Sequence, residues 1–511
     1  MKTTDLVPSG ARCCALPALI SVILVFGNLV ALGSDATWSL HPVSNDWSNP
    51  LNWTPNTVPG VGDTASFADS DTTEIAFSQG VSVDEMLFNA GAAPFTFTVS
   101  HSNGIFFDSD FGIFNNSGVT QSFVSVVDEN DKAGFVSFSD HSVAGTQTAF
   151  TIGARQTGSG ISGAAQFLEF GSADHGTFVN QASPIADPMG AQSAFFGNST
   201  AASGVFMNEG AVVDGAGGGA TIFYNQTNAG AATLIAQGGS NGGGGGQIKF
   251  FDSSKGGTAR AEVFGNGFLD VSDHGAITVG SIEGDGLILL AQSKLTAGGN
   301  GLSTVFSGIM KEGGASGGSF AKAGAGTLTL SGASLYTGGT TVSAGTLVVA
   351  NATGSATGTG AVSVTVGTLG GSGVIAGSVT IGTGSGSGAF LAPAHGGNKQ
   401  LTLTIQGSLT FNSDATYTYT FKAKRNRSKI DKVIANGVTI NSGATINLSG
   451  QTQGPLTEGL VLTLIKNTAA TAIAGTFSNL PDGGIVNVNG NNLQASYSGG
   501  DGNDLTLTVV P

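Results

Sequence analysis

Residues 322–350 read KAGAGTLTLSGASLYTGGTTVSAGTLVVA, two short runs of alternating apolar and small polar residues joined by glycine-rich turns. Leu328 and Leu330, then Val342, then Leu347 and Val349 alternate with Thr, Ser or Gly. That is the two-residue period of a strand with one buried face, and no helix produces it. Gly326, Gly338, Gly339 and Gly345 punctuate the runs and supply the backbone freedom that a sharply bending chain requires. The Gly-Thr-Leu triplet recurs at Gly326, Gly345 and Gly367, after 19 and 22 residues, a spacing that suits one coil of a parallel β-helix. One coil cannot bury its apolar face alone. Stacking pairs each strand with its equivalent in the next coil at ~4.8 Å and builds a narrow continuous core. The expected fold is all-β, a right-handed parallel β-helix (β-solenoid) with an N-terminal cap.

The order K-A-G-A-G-T-L-T-L-S-G, Y-T-G-G-T-T-V and A-G-T-L-V-V within these residues resembles the autotransporter-associated β-strand repeat of passenger-type bacterial surface proteins. One clear copy occupies residues 322–350, with weaker echoes at 361–381 and 437–448. The resemblance implies a solenoid and export from the cell. It brings no catalytic residues and no cofactor.

Composition agrees with an exported structural protein. Gly makes up 83 of 511 residues and charged residues only 10%. Such a content also suits a flexible linker, but the regular Val, Ile, Leu and Phe alternation argues for a packed core. At the N-terminus Lys2 and Arg12 precede an apolar run over residues 13–32, and Ala31 and Gly33 suit a cleavage site after Gly33. Residues 1–33 are therefore expected to be a signal peptide. The alternative is an uncleaved signal anchor, since the run is long enough to span a bilayer. Cys13 and Cys14 are the two cysteines of the chain, so cleavage leaves no thiol for a disulfide, a thiolate metal site or a Cys nucleophile. Cleavage also leaves 16 basic against 32 acidic residues, a net charge of 16 − 32 = −16. That acidity repels phosphate backbones and argues against nucleic acid as a partner.

Three zones follow the signal. Residues 34–69 hold Trp38, Trp47 and Trp53 and are expected to cover the open end of the first coil; the rival reading is a sugar site on exposed indole faces. Residues 70–290 carry a looser repeat. Phe170, Phe196, Tyr224 and Phe251 recur there after 26, 28 and 27 residues, and they are expected to form an aromatic ladder in the core, with an exposed binding ladder as the alternative. The Gly-rich residues 238–246 lack the Lys-Ser/Thr of a phosphate-binding loop and read as a loose turn protruding between coils. Residues 291–511 carry the tighter repeat and the C-terminal strands.

Catalytic constellations are thin. A β-helix lyase or hydrolase would gather carboxylates in one groove across adjacent coils. The candidates Asp108, Asp110, Asp128, Asp131 and Asp252 do not recur at the coil spacing. His41, His101, His141, His175, His274 and His395 show no metal-ligand spacing. The reading is no enzyme, no metal and no cofactor. Lys422, Lys424, Arg425, Arg427, Lys429 and Lys432 gather six cations into eleven residues. The patch is either a solvated loop or a site for an anionic glycan or a lipid phosphate. Residues 499–504, GGDGND, resemble a single calcium-binding nonapeptide of the RTX type. Leu505 comes one place too early and a second copy is missing, so a structural turn is expected. No ten-residue alternating strands for a membrane barrel follow Val510 and Pro511, so no barrel of its own is expected.

The expectation is a non-catalytic, exported structural or surface protein, secreted or held at the cell surface, with extracellular polysaccharide or the cell envelope as partner. The candidate ligand contacts are Trp38, Trp47, Trp53, Lys424, Arg425 and Arg427. The alternatives are a carbohydrate-binding adhesin and a β-helix polysaccharide lyase or hydrolase.

Overall fold

The computed structural model describes residues 34–511 apart from 101, 129–131, 158–161, 188 and 396–398. The expected signal peptide with Cys13 and Cys14, and also His101 and Asp131, lie outside the described residues. Apart from one 3₁₀ turn at Pro50–Asn52, every described element is a β-strand. The strands stack in parallel as three columns, so the chain is a three-sided β-solenoid. One column runs through Thr96–Val99, Gln121–Ser125, Thr148–Ile152, Thr177–Asn180, Val205–Asn208 and Thr233–Ala236. A second runs through Gly104–Ser109, Phe135–Asp140, Ala164–Phe167, Gln192–Phe195, Ala220–Phe223 and Gln247–Phe250. The third starts as Ala36–Trp38, Thr64–Phe67, Glu85–Phe88 and Gly112–Asn115. It thins to single bridges at Val143, Ser172, Thr200, Asn228 and Lys255, then widens again from Ala276–Gly284 onward.

Two phenylalanine ladders fill this first half. Phe97, Phe123, Phe150, Phe178 and Phe206 stack at centroid distances of 4.9, 4.8, 4.4 and 4.8 Å. Phe107, Phe138, Phe167, Phe195, Phe223 and Phe250 stack in the neighbouring column at 5.0, 5.2, 4.5, 4.7 and 4.7 Å. Edge-to-face contacts such as Phe195 on Phe206, at 5.4 Å, join the two. Each ring pair adds about 0.5–1.5 kcal/mol beyond the burial of apolar area.

The aromatic ladder expected in the core is therefore built from other residues. Phe196, Tyr224 and Phe251 also stack, at 5.0 and 5.2 Å, but only partly buried, on the outer surface. Phe170 is out of register with them and rests on His141 with half of its surface exposed. The physical reason is the strand period: adjacent residues face opposite sides, so in Phe195-Phe196 and Phe250-Phe251 the first ring enters the core and the second leaves it. The glycine run is also corrected in part. Residues 238–242 lie at the surface, whereas Gly243 and Gly246 are buried against the preceding coil and Gly245 against the following one. A Cβ on Gly246 would collide with the carbonyl of Asn208, so the run allows backbones to touch.

In the second half the coils shorten. Leu328, Leu347 and Leu369 are register partners in successive coils, as the recurring triplet implies. Leu328, Leu330, Val342, Leu347 and Val349 are all buried. The buried Tyr336 hydroxyl meets Thr340 Oγ1 at 2.6 Å. Gly345 has φ +65°, and a Cβ there would strike the carbonyl of Gly324 one coil earlier. At the far end the parallel stack gives way to antiparallel neighbours, Val461–Asn467 with Asp504–Val510, then Asn491–Gly499 and Ile485–Val488. No helix among the described residues is long and apolar enough to cross a membrane.

Candidate functional site

The strand Ala415–Lys424 is one of the longest in the molecule, and its alternation divides it into two faces. Tyr417, Tyr419, Phe421 and Ala423 enter the core, which leaves Thr418, Thr420, Lys422 and Lys424 outside. Through a tip at Arg425, where φ is +51°, the chain returns as Arg427–Ile430 in antiparallel register. Lys422 is paired with Lys429, and Lys424 with Arg427. Cross-strand partners share a face, so four cations stand on one side of the hairpin. On the other edge Lys422 lies beside Gln451 and Thr420 beside Ser449. Lys399 and Gln400, from the coil before, complete an open depression of about 550 Å³ with Lys422 and Lys429.

Asp431, at the foot of the hairpin, is already engaged. Its carboxylate accepts from Leu401 N at 2.8 Å, Thr420 N at 3.1 Å and Thr420 Oγ1 at 2.7 Å. Burial raises its pKa, against the pull of those hydrogen bonds. Among the described residues no carboxylate forms an ion pair with Lys399, Lys422, Lys424, Arg425, Arg427 or Lys429. Lys424, Arg425 and Arg427 are exposed, as ligand contacts must be, whereas Lys432 belongs to a different sheet beside Thr402. The charge cluster itself was visible in the sequence, but Lys399, Gln400 and the face-sharing pairs depend on register.

The tryptophans are placed differently. Trp38, Trp47 and Trp53 are 1%, 0% and 1% exposed, packed edge to face at 5.1 and 4.7 Å. Trp38 Nε1 donates to Thr72 O and Trp53 Nε1 to Trp47 O. Trp53–Thr54 runs antiparallel along the otherwise free edge of Ala36–Trp38, the strand that opens the third column. With both ring faces covered, these side chains have no surface on which a sugar could stack.

The candidate acids do not meet in one groove. Asp108 binds Ser139 Oγ at 2.6 Å, and Asp110 binds His141 at 3.0 Å. Asp252, several coils from both, accepts from Asn225 N in the coil next to its own, and Asp128 accepts from Lys132 N. The row Asp140 and Glu169, in consecutive coils and both at positive φ, escaped sequence reasoning because register alone makes them neighbours. The Glu169 pKa is raised, first by its hydrogen bond to Asp140 and then by repulsion from it. His41 and His175 pair locally with Asp71 and Asp174, and His274 meets the carbonyl of Ser254. Among the described residues no group of three or more His, Cys, Asp or Glu is arranged to hold a metal. In the 499–504 turn, Asp504 is buried and its carboxylate accepts from Asn467 N at 2.9 Å.

Residues 320–349 match the family described as Passenger-associated-transport-repeat, so this segment is of the autotransporter passenger type. No curated protein matches the chain in sequence. Among solved structures, the Haemophilus influenzae Hap adhesin aligns over 89% of this chain and 65% of its own, at 12% identity and a TM-score of 0.30. The alignment thus spans less than two thirds of that protein.

Proposed function

We propose that this chain is an exported, non-catalytic solenoid of the passenger type that displays surface outside the cell. The observation that carries the reading is the repeat at 320–349, whose Leu328, Val342, Leu347 and Val349 belong to one core continuous with the coils on either side. A solenoid of this kind gains stability coil by coil and offers long faces for display. Residues 34–69 act as the cap of that stack, and residues 1–33 direct export. The distance of Asp252, several coils from Asp108 and Asp110, supports a non-catalytic role over a polysaccharide lyase or hydrolase, which needs its carboxylates in one groove. A second reading, an adhesin that holds a glycan, is favoured by the unpaired cations of the 415–430 hairpin. The test is localisation: protease added to intact cells should degrade the protein, while a cytoplasmic marker survives. Protein confined to the cytoplasm would overturn the proposal.

A further inference from the structure

The hairpin Ala415–Lys424 and Arg427–Ile430 carries an arrangement that weakens the free protein. Like charges directly across an antiparallel pair repel, and here two such pairs, Lys422 with Lys429 and Lys424 with Arg427, follow one another. They stand about 7 Å apart along the strand. Lys399 brings a fifth positive charge to the first pair across the depression. None of the five has an ion-pair partner among the described residues, although the chain as a whole carries a net charge of −15. Asp431, the acid at the foot of the hairpin, spends its oxygens on Leu401 and Thr420.

From this juxtaposition we infer that the outer face of the hairpin, with Lys399, is a binding site for a linear polysaccharide bearing sulfate, phosphate or carboxylate groups. The cation pairs lie in a line that would meet successive anionic groups, and each charge-assisted hydrogen bond would relieve the repulsion within a pair. Around them stand Thr420, Ser449, Gln451 and Gln400, donors and acceptors suited to sugar hydroxyls. A bilayer is the weaker occupant: the face is concave, and this hairpin exposes no large apolar side chain that would enter lipid. Nucleic acid is weaker still, since no exposed aromatic ring stands among the cations to stack on a base. The inference deepens the adhesin reading and depends on export only for where the glycan would be met.

Purified protein tests the site independently of cell location. Binding to dextran sulfate, to neutral dextran of equal length and to vesicles rich in anionic phospholipid should be measured at low and physiological salt. The expected result is salt-sensitive binding to dextran sulfate alone, weakened at least about tenfold in a Lys422→Gln, Lys429→Gln double variant. The charge-matched control Lys294→Gln, Lys311→Gln should bind as the parent does, with both variants melting at the parent's temperature or above. Equal loss in both double variants would mean diffuse attraction and overturn the site. Stronger binding to vesicles than to dextran sulfate, or binding unaffected by Lys422→Gln, Lys429→Gln, would overturn it as well.

Discussion

The ammonium of Lys322 donates to the carbonyl of Ala344, one coil further along the solenoid, at 3.3 Å. It also donates to Ala323 and Gly324 in its own coil, so one buried cation ties together two turns whose carbonyls have left the ladder. The first residue of the repeat motif is thus a clamp between coils. Replacing Lys322 by Met keeps the bulk and removes the donor, at an expected cost of about 2–3 kcal/mol. Burial holds the Lys322 pKa down at about 8. Below that pH the group is charged in folded and unfolded chains alike. From pH 8 to the ordinary lysine value of about 10.4, the unfolded chain keeps a proton that the folded chain has released, so the residue's contribution to stability rises with pH. The gap in melting temperature between parent and Lys322→Met should therefore widen from pH 8 to pH 10; a constant or shrinking gap would refute this account.

The two sides of one strand end should respond unequally. Phe195 lies in the inner ladder with no exposed surface, and Phe196 lies partly buried against Tyr224. Phe195→Ala is expected to cost about 3–5 kcal/mol and Phe196→Ala less than about 1.5 kcal/mol. Because a solenoid can open locally, amide hydrogen exchange in Gln192–Phe195 and the strands beside it is the suitable measurement. Equal effects would mean that the register is wrong by one residue.

Trp53 packs between Trp38 and Trp47 and its indole donates to Trp47 O. Trp53→Ala should cost about 3–5 kcal/mol and expose amides of Ala36–Trp38 and Thr64–Phe67 to exchange before those of later coils. Binding to dextran sulfate should not change. A variant with unaltered exchange but lost polysaccharide binding would restore the tryptophans as ligand contacts.

Calcium should leave the fold unmoved. Asp504 is committed to Asn467 N and is buried, and one isolated turn supplies too few oxygens to dehydrate the ion. Melting curves in chelator and in millimolar calcium are expected to coincide within about 2 °C, less than about 1 kcal/mol for a domain of this size. An upward shift that disappears in Asp504→Ala would make calcium part of folding.

The two-residue alternation and the recurrence of Gly-Thr-Leu were enough to determine a stacked β-solenoid, because a strand with one apolar face and a fixed return length has few other ways to bury that face. The same local logic exposed the basic cluster at residues 422–432. It could not distinguish Phe195 from Phe196, since both are apolar and only the pairing of Phe167, Phe195 and Phe223 fixes which ring points inward. Nor could it see that three tryptophans would cover one another, or that Lys422 would face Lys429 with Lys399 across the depression. Contacts between coils join residues some 20–30 positions apart, and a side chain's exposure is decided by what the next coil lays on it. The periodicity of the chain therefore determined the architecture, while register between coils decided which residues became core and which became surface.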